Sequence, residues 1–217
     1  KVIALAGGRP GACAVALDKD TGAEVWRALD VDDFGYSAPE IIEAGGKRQL
    51  IVWTPKALSS LDPETGKVHW EQPFALNSGL SVASPVHDAR ASRLFVTAFY
   101  NGPLMMELAP DKPGAKLLWK GKSDSEKQTD GLHAILCTPA IVDGHIYGVC
   151  SYGQLRCLEA ATGKRVWETL AATGSGRWWN AFLVPHEDRF FIANEQGDLI
   201  TARLTPKGYE ETSRVSL

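Results

Sequence analysis

Two groups of side chains in this 217-residue sequence have the makings of a reactive or binding site. Asp130 and His133 are close enough in sequence to form an acid–base pair, a carboxylate orienting an imidazole for proton transfer. Nothing completes that pair as a hydrolase: there is no Ser-x-x-Lys, no Gly-x-Ser-x-Gly and no phosphate-binding glycine loop. The second group is Arg177-Trp178-Trp179-Asn180. Consecutive rings on a strand point to opposite faces, so one of the two tryptophans must turn away from the core. An exposed ring beside Arg and Asn suits a sugar, a quinone or a peptide side chain; the plainer alternative is that Trp178 or Trp179 plugs a gap between sheets. The four cysteines, Cys13, Cys137, Cys150 and Cys157, are too sparse for a disulfide framework. Cys150 and Cys157 flank a turn and could be diagonal neighbours, but such pairs stand about 7–8 Å apart, so ordinary buried thiols are expected. No Cys-x-x-Cys or His-x-x-x-His spacing is present, and no metal site is expected.

The elements that must position these residues are set by a repeat. Ala16-Leu17-Asp18-Lys19-Asp20-Thr21-Gly22-Ala23-Glu24-Val25-Trp26 returns as Ser60–Trp70 and as Cys157–Trp167, with a stretched copy at Leu108–Trp119. The tryptophans Trp26, Trp70, Trp119 and Trp167 fall 44, 49 and 48 residues apart, a period that marks a stacked repeat. In each copy an alternating apolar run enters an Asp-Thr-Gly turn and a second run leaves through the tryptophan. The glycine supplies the positive φ of a tight hairpin, and the acid accepts N–H bonds within the turn. The rings are read as structural wedges between neighbouring sheets, each N–H satisfied by a carbonyl next door. On that reading Trp70→Ala costs roughly 3–5 kcal/mol through the cavity it leaves.

Short alternating runs between Gly, Asn and Asp turns predict an all-β propeller of four-stranded antiparallel blades, about five in this chain. The units span approximately 1–30, 31–75, 76–122, 131–172 and 173–217 of one continuous array. The first is expected to lack its innermost strand, with Val2–Ala6, Ala12–Asp18 and Glu24–Ala28 arranged around a turn at Gly7-Gly8-Arg9-Pro10-Gly11. Later units open on Ser37-Ala38-Pro39, Ala83-Ser84-Pro85 and Cys137-Thr138-Pro139, each taken as the start of an innermost strand. The fifth opens on Asn180-Ala181-Phe182 without proline and ends in a weak outer strand within Tyr209–Leu217. Gly121–Asp130 is polar and patternless and is read as a surface loop. Loops leading into the innermost strands converge at one end, the default place for a ligand, and there carry Tyr36, Asp130, His133, Arg177, Trp178, Trp179 and Asn180.

The pattern Ala-x-Asp-x-x-Thr-Gly-x-x-x-Trp resembles the tryptophan-docking motif of pyrroloquinoline quinone (PQQ)-type β-propeller repeats. These occur in quinoprotein dehydrogenases and in a non-enzymatic outer-membrane assembly lipoprotein. The match is full at Ala16–Trp26, nearly full at Ser60–Trp70, altered by Glu159 at Cys157–Trp167 and stretched at Leu108–Trp119. The resemblance implies a non-catalytic scaffold that binds a protein partner or a small ligand at one end of the channel, without a cofactor. The alternative is a fragment of a PQQ-dependent alcohol or sugar dehydrogenase. That branch implies adjacent cysteines over the quinone, a tryptophan beneath it, and acidic and amide ligands for calcium; here no two cysteines are adjacent.

The formal charge of −3 gives no basic footprint for nucleic acid, and no apolar run is long enough to span a membrane. Lys1–Ala6 is too short to be a signal peptide, and a periplasmic or secreted location rests on the resemblance alone. The family usually uses six to eight units, so the chain is expected to be a segment of a larger propeller that self-associates through open blade edges.

Overall fold

The computed structural model describes residues 1–7 and 11–217. Its regular secondary structure is antiparallel strand, apart from a single short 3-10 turn at Asn77–Gly79 among the described residues. The strands fall into five sheets, each a meander of consecutive strands. The first has three: β1 (Val2–Leu5), β2 (Ala14–Leu17) and β3 (Glu24–Ala28). The turn expected at Gly7–Gly11 lies partly outside the described residues. The second is β4 (Glu40–Ala44), β5 (Lys47–Trp53), β6 (Ala57–Leu61) and β7 (Val68–Pro73); the third is β8 (Val86–Asp88), β9 (Arg93–Ala98), β10 (Gly102–Leu108) and β11 (Ala115–Lys120). The fourth is β12 (Ala140–Val142), β13 (His145–Val149), β14 (Leu155–Glu159) and β15 (Arg165–Thr169). The fifth is β16 (Ala181–His186), β17 (Arg189–Asn194), β18 (Asp198–Thr205) and β19 (Gly208–Ser216). Two compact units divide the chain, one of residues 1–94 and 106–117, the other of residues 95–105 and 118–217.

The repeated turn works as a local clamp. The Asp18 carboxylate accepts N–H bonds from Asp20 and Thr21 at 3.1 and 2.8 Å, and Asp62 accepts from Glu64 and Thr65 at 2.8 and 3.1 Å. Those bonds favour the charged form, and both carboxyls lie below the usual aspartate range. Gly22, Gly66 and Gly163 all carry a positive φ. Just after each turn the outer strand bulges by one residue, at Val25, His69 and Val166, and the tryptophan that follows stands opposite Ala16, Ser60 and Cys157 respectively.

The repeated rings seat differently. In the first unit Trp26 Nε1 donates to Pro63 O at 3.2 Å, and its ring lies so close to Gly66 that a Cβ there would come within 2.7 Å. In the second unit Trp119 repeats this arrangement, donating to Ala160 O at 2.9 Å with its ring against Gly163, and Trp167 donates to Thr205 O at 2.7 Å. Trp70 departs from the pattern. Its N–H goes to Gln49 Oε1 of its own sheet at 2.9 Å, an oxygen that also accepts from Ser60 Oγ at 2.7 Å.

Two boundaries differ from expectation. The innermost strands do not begin at Ser37, Ala83 and Cys137 but after the prolines, at Glu40, Val86 and Ala140. Proline has no ladder donor, so pairing starts one residue beyond it. The fifth sheet, lacking that proline, starts at Ala181. The outer strand of the fifth sheet is not weak: β19 pairs with β18 from Asp198↔Ser216 to Thr205↔Gly208. Its polar side chains hid it, because they hold it by side-chain bonds rather than burial. Arg214 Nη1 reaches Asp198 Oδ2 at 2.8 Å, and Thr212 Oγ1 donates to Thr201 O at 2.9 Å.

Candidate functional site

In the second unit, four lead-in and hairpin loops are tied together around His133. Its Nδ1 lies 2.9 Å from Phe99 O, which can only accept, so Nδ1 carries the proton and Nε2 accepts from Thr129 Oγ1 at 2.9 Å. The His133 carbonyl in turn accepts from Ser151 N at 3.0 Å and from its hydroxyl, and Ser151 O accepts from Trp178 N at 2.7 Å. His133 is fully buried. Burial pushes its pKa down, more than the Phe99 carbonyl raises it, and the ring is neutral at pH 7.

The Asp130–His133 pair that the spacing allows is therefore not formed. Asp130 points outward and pairs with Arg165 Nη2 at 2.9 Å. With both imidazole nitrogens committed inside the fold, His133 positions loops. Asn180 is buried too: its amide donates to Trp178 O and to Glu195 Oε1 at 3.0 Å, and its oxygen faces the Cys137 thiol at 3.6 Å.

Arg177 and Trp178 are brought together at the surface. The Trp178 ring stacks on Phe99 with centroids 4.6 Å apart and planes 21° from parallel. The Arg177 guanidinium sits 4.4 Å from the Trp178 centroid and 5.8 Å from that of Phe99. Trp178 nevertheless stays 42% exposed. Its φ of 72° lies in the left-handed region, which is unusual for a bulky residue and turns the ring outward. Trp179 is partly buried, with its ring against Gly174 and Gly176, and its backbone forms a parallel bridge to Tyr152. The result is a flat, rigid aromatic face capped by a cation. Tyr36 belongs to the first unit, where its N–H donates to Ser81 O at 2.8 Å and its side chain is 74% exposed.

One feature escaped the sequence. The loop taken as plain surface, together with Trp119 and the turn from Glu159 to Arg165, borders a cleft of about 680 Å³. The paired glycines Gly121 and Gly131, and the run of cations around them, were the available signal.

Five meander sheets, clamped turns and recurring tryptophans make a specific pattern. The family model described as outer membrane protein assembly factor BamB matches residues 11–212. The chain belongs to this family. Among solved structures it is similar to BamB from Moraxella catarrhalis, at 19% identity and a TM-score of 0.55, covering 98% of this chain and 57% of that one. It is also similar to quinohemoprotein alcohol dehydrogenase ADHIIG of Pseudomonas putida HK5, at 14% identity and a TM-score of 0.57, covering 94% of this chain and 39% of that one. A third is the β-propeller domain of Myceliophteria thermophila Cps50 (Swd1), at 12% identity and a TM-score of 0.59, covering 94% and 65%. At such identities these likenesses establish the propeller-type fold, and this chain spans little more than half of the Moraxella protein's length. A comparison with curated proteins finds no match.

Shared repeats with quinoproteins raise the question of PQQ and calcium. The four cysteines are separate buried thiols, and burial pushes Cys13 and Cys157 up to about 11 and Cys137 up to about 12. Among the described residues no three His, Cys, Asp or Glu side chains gather to hold a cation. Among the described residues, no helix is long and apolar enough to cross a membrane.

Proposed function

We propose that this BamB-family chain is a non-catalytic scaffold that binds a protein partner through the Arg177–Trp178 platform. The observation that carries this is the exposed Trp178 ring, stacked on Phe99 with the Arg177 guanidinium beside the stack, on a left-handed backbone. Tryptophan and arginine are the residue types that dominate interface energetics, and a ring already immobilised loses little entropy on binding. The family description points to outer-membrane protein assembly as the setting, with the protein in the periplasm at that membrane. No quinone is needed for this role.

A photo-crosslinking residue at position 178, expressed in the native host, tests the reading. Adducts with outer-membrane assembly proteins are expected, and Arg177→Ala should weaken them. Equal adducts from a control position on β19 would overturn the platform. Incubation with PQQ and calcium gives an independent check: a retained absorbance band with dye-linked alcohol oxidation would favour the quinoprotein reading instead.

A further inference from the structure

The chain is acidic overall, yet the cleft of about 680 Å³ in its second unit gathers cations. That volume lies in the range of small-ligand sites. Pro103 and Trp119 line it, and Lys122, Lys164 and Arg165 stand around them. Three glycines let its walls pack closely. A Cβ on Gly121 or Gly131 would lie 2.7 or 3.1 Å from Pro103 Cδ, and one on Gly163 would meet the Trp119 ring at 2.7 Å. Because the Trp119 N–H is already taken by Ala160 O, the ring offers an apolar wall and no donor.

The cations are not equally engaged. Lys122 and Lys164 make no ion pair among the described residues. Arg165 is held by Glu168 of its own strand at 2.8 Å, and by Asp130 at 2.9 Å. Asp130 comes from the loop, and its side chain is 84% exposed, so this pair contributes little and exchanges readily. The one other carboxylate of the lining, Glu159, is occupied by the Thr162 hydroxyl at 2.9 Å. Asp130 thus displays the group the cleft accepts, a carboxylate carried on a peptide backbone.

We propose that this cleft binds an acidic peptide segment. Its carboxylates pair with Lys122, Lys164 and Arg165, an apolar side chain lies against Trp119, and Asp130 is the internal occupant that the peptide displaces. The site uses none of the residues of the Trp178 platform and does not rest on it.

Fluorescence anisotropy of labelled octaglutamate with the full chain tests this. Lys122→Ala/Lys164→Ala should weaken binding about fivefold or more, as expected for losing exposed charge contacts. Asp130→Asn, which leaves Arg165 with Glu168 as its one ion-pair partner among the described residues, should tighten it by about threefold, and added salt should weaken it. Trp178→Ala should leave it unchanged, which separates failure here from failure of the platform. Thermal melts confirm that each variant folds, and Lys164→Glu is a second probe of the same rim. Unchanged binding in the double lysine variant, or no gain in Asp130→Asn, would overturn the proposal. So would displacement of the peptide by inorganic phosphate as effectively as by unlabelled octaglutamate.

Discussion

At the scale of single residues, the repeated tryptophans are not equivalent. Trp26 is nearly buried, with its ring on Gly66, so Trp26→Ala should cost about 3–5 kcal/mol through the cavity left behind. Gly66→Ala meets both the ring and a positive φ and should cost at least about 1 kcal/mol. Removing the ring relieves the clash, so the double variant should lose less than the two singles combined; strict additivity in urea melts would show that the two do not touch. Trp70→Ala should cost about 1–2 kcal/mol, less than the repeat implies, because Gln49 keeps its bond from Ser60 when the half-buried ring goes. His133 sets a pH dependence. Burial depresses its folded pKa, Arg156 acts in the same direction, and the Phe99 carbonyl, Glu126 and Asp124 oppose them. The unfolded state therefore binds the proton more readily. The stability from neutral His133 is fully present above about pH 6.5 and is lost as pH falls toward the folded value. His87 shifts in the same direction, so the measurement is the difference between wild type and His133→Gln across that window. Identical pH slopes would mean that His133 is not buried neutral.

At the scale of elements, the Trp178 loop stores strain that its contacts offset. A left-handed φ costs a bulky residue about 1–2 kcal/mol, while the stack on Phe99 and the Arg177 contact return a similar amount. Trp178→Gly loses the stack but relieves the backbone, whereas Trp178→Ala loses the stack and keeps the strain. The glycine variant should therefore be more stable than the alanine variant by about 1 kcal/mol. The reverse order in denaturant melts would contradict the positive φ. The strands themselves were legible. Periodicity and the Asp-Thr-Gly turn place Glu24–Ala28 to the residue, because alternation and turn chemistry are local. Innermost-strand starts were set too early, since a proline marks the residue before pairing rather than the first paired one. The site was harder to see. Arg177 and Trp178 stood out by type, but their partner Phe99 comes from another hairpin. Nothing in the spacing of Asp130 and His133 says that one faces solvent while the other closes around Phe99 and Thr129. The cleft formed from segments about forty residues apart in sequence, joined by Trp119 seating on Gly163, and that depends on sheet packing which a linear pattern does not encode.

At the scale of the whole molecule, the fifth sheet shows an imbalance between its faces. One face carries Leu183, Phe190, Ile192, Ile200, Ala202 and Leu204, packed in a common core with Tyr147, Val149, Leu155 and Cys157 of the fourth sheet. The reverse face pairs Val184 with Phe191 and Phe182 with Ala193 across β16 and β17. There Phe182 is 59% exposed, Val184 57% and Phe191 37%, so an apolar surface meets solvent. Its outer strand also lacks the wedge: the residue opposite Thr201, just ahead of the bulge, is Ser213 where the other sheets place tryptophan. In the first sheet Val2 and Val25 are each about half exposed. Exposed apolar residues on two unlike sheets allow head-to-tail contact between copies, with the fifth sheet of one against the first sheet of the next. The 217-residue polypeptide should therefore self-associate at tens of micromolar, and Phe182→Glu/Val184→Lys should shift it to monomer without lowering its melting temperature. Sedimentation velocity decides between the outcomes: a wild-type monomer at that concentration would mean that these faces do not drive association.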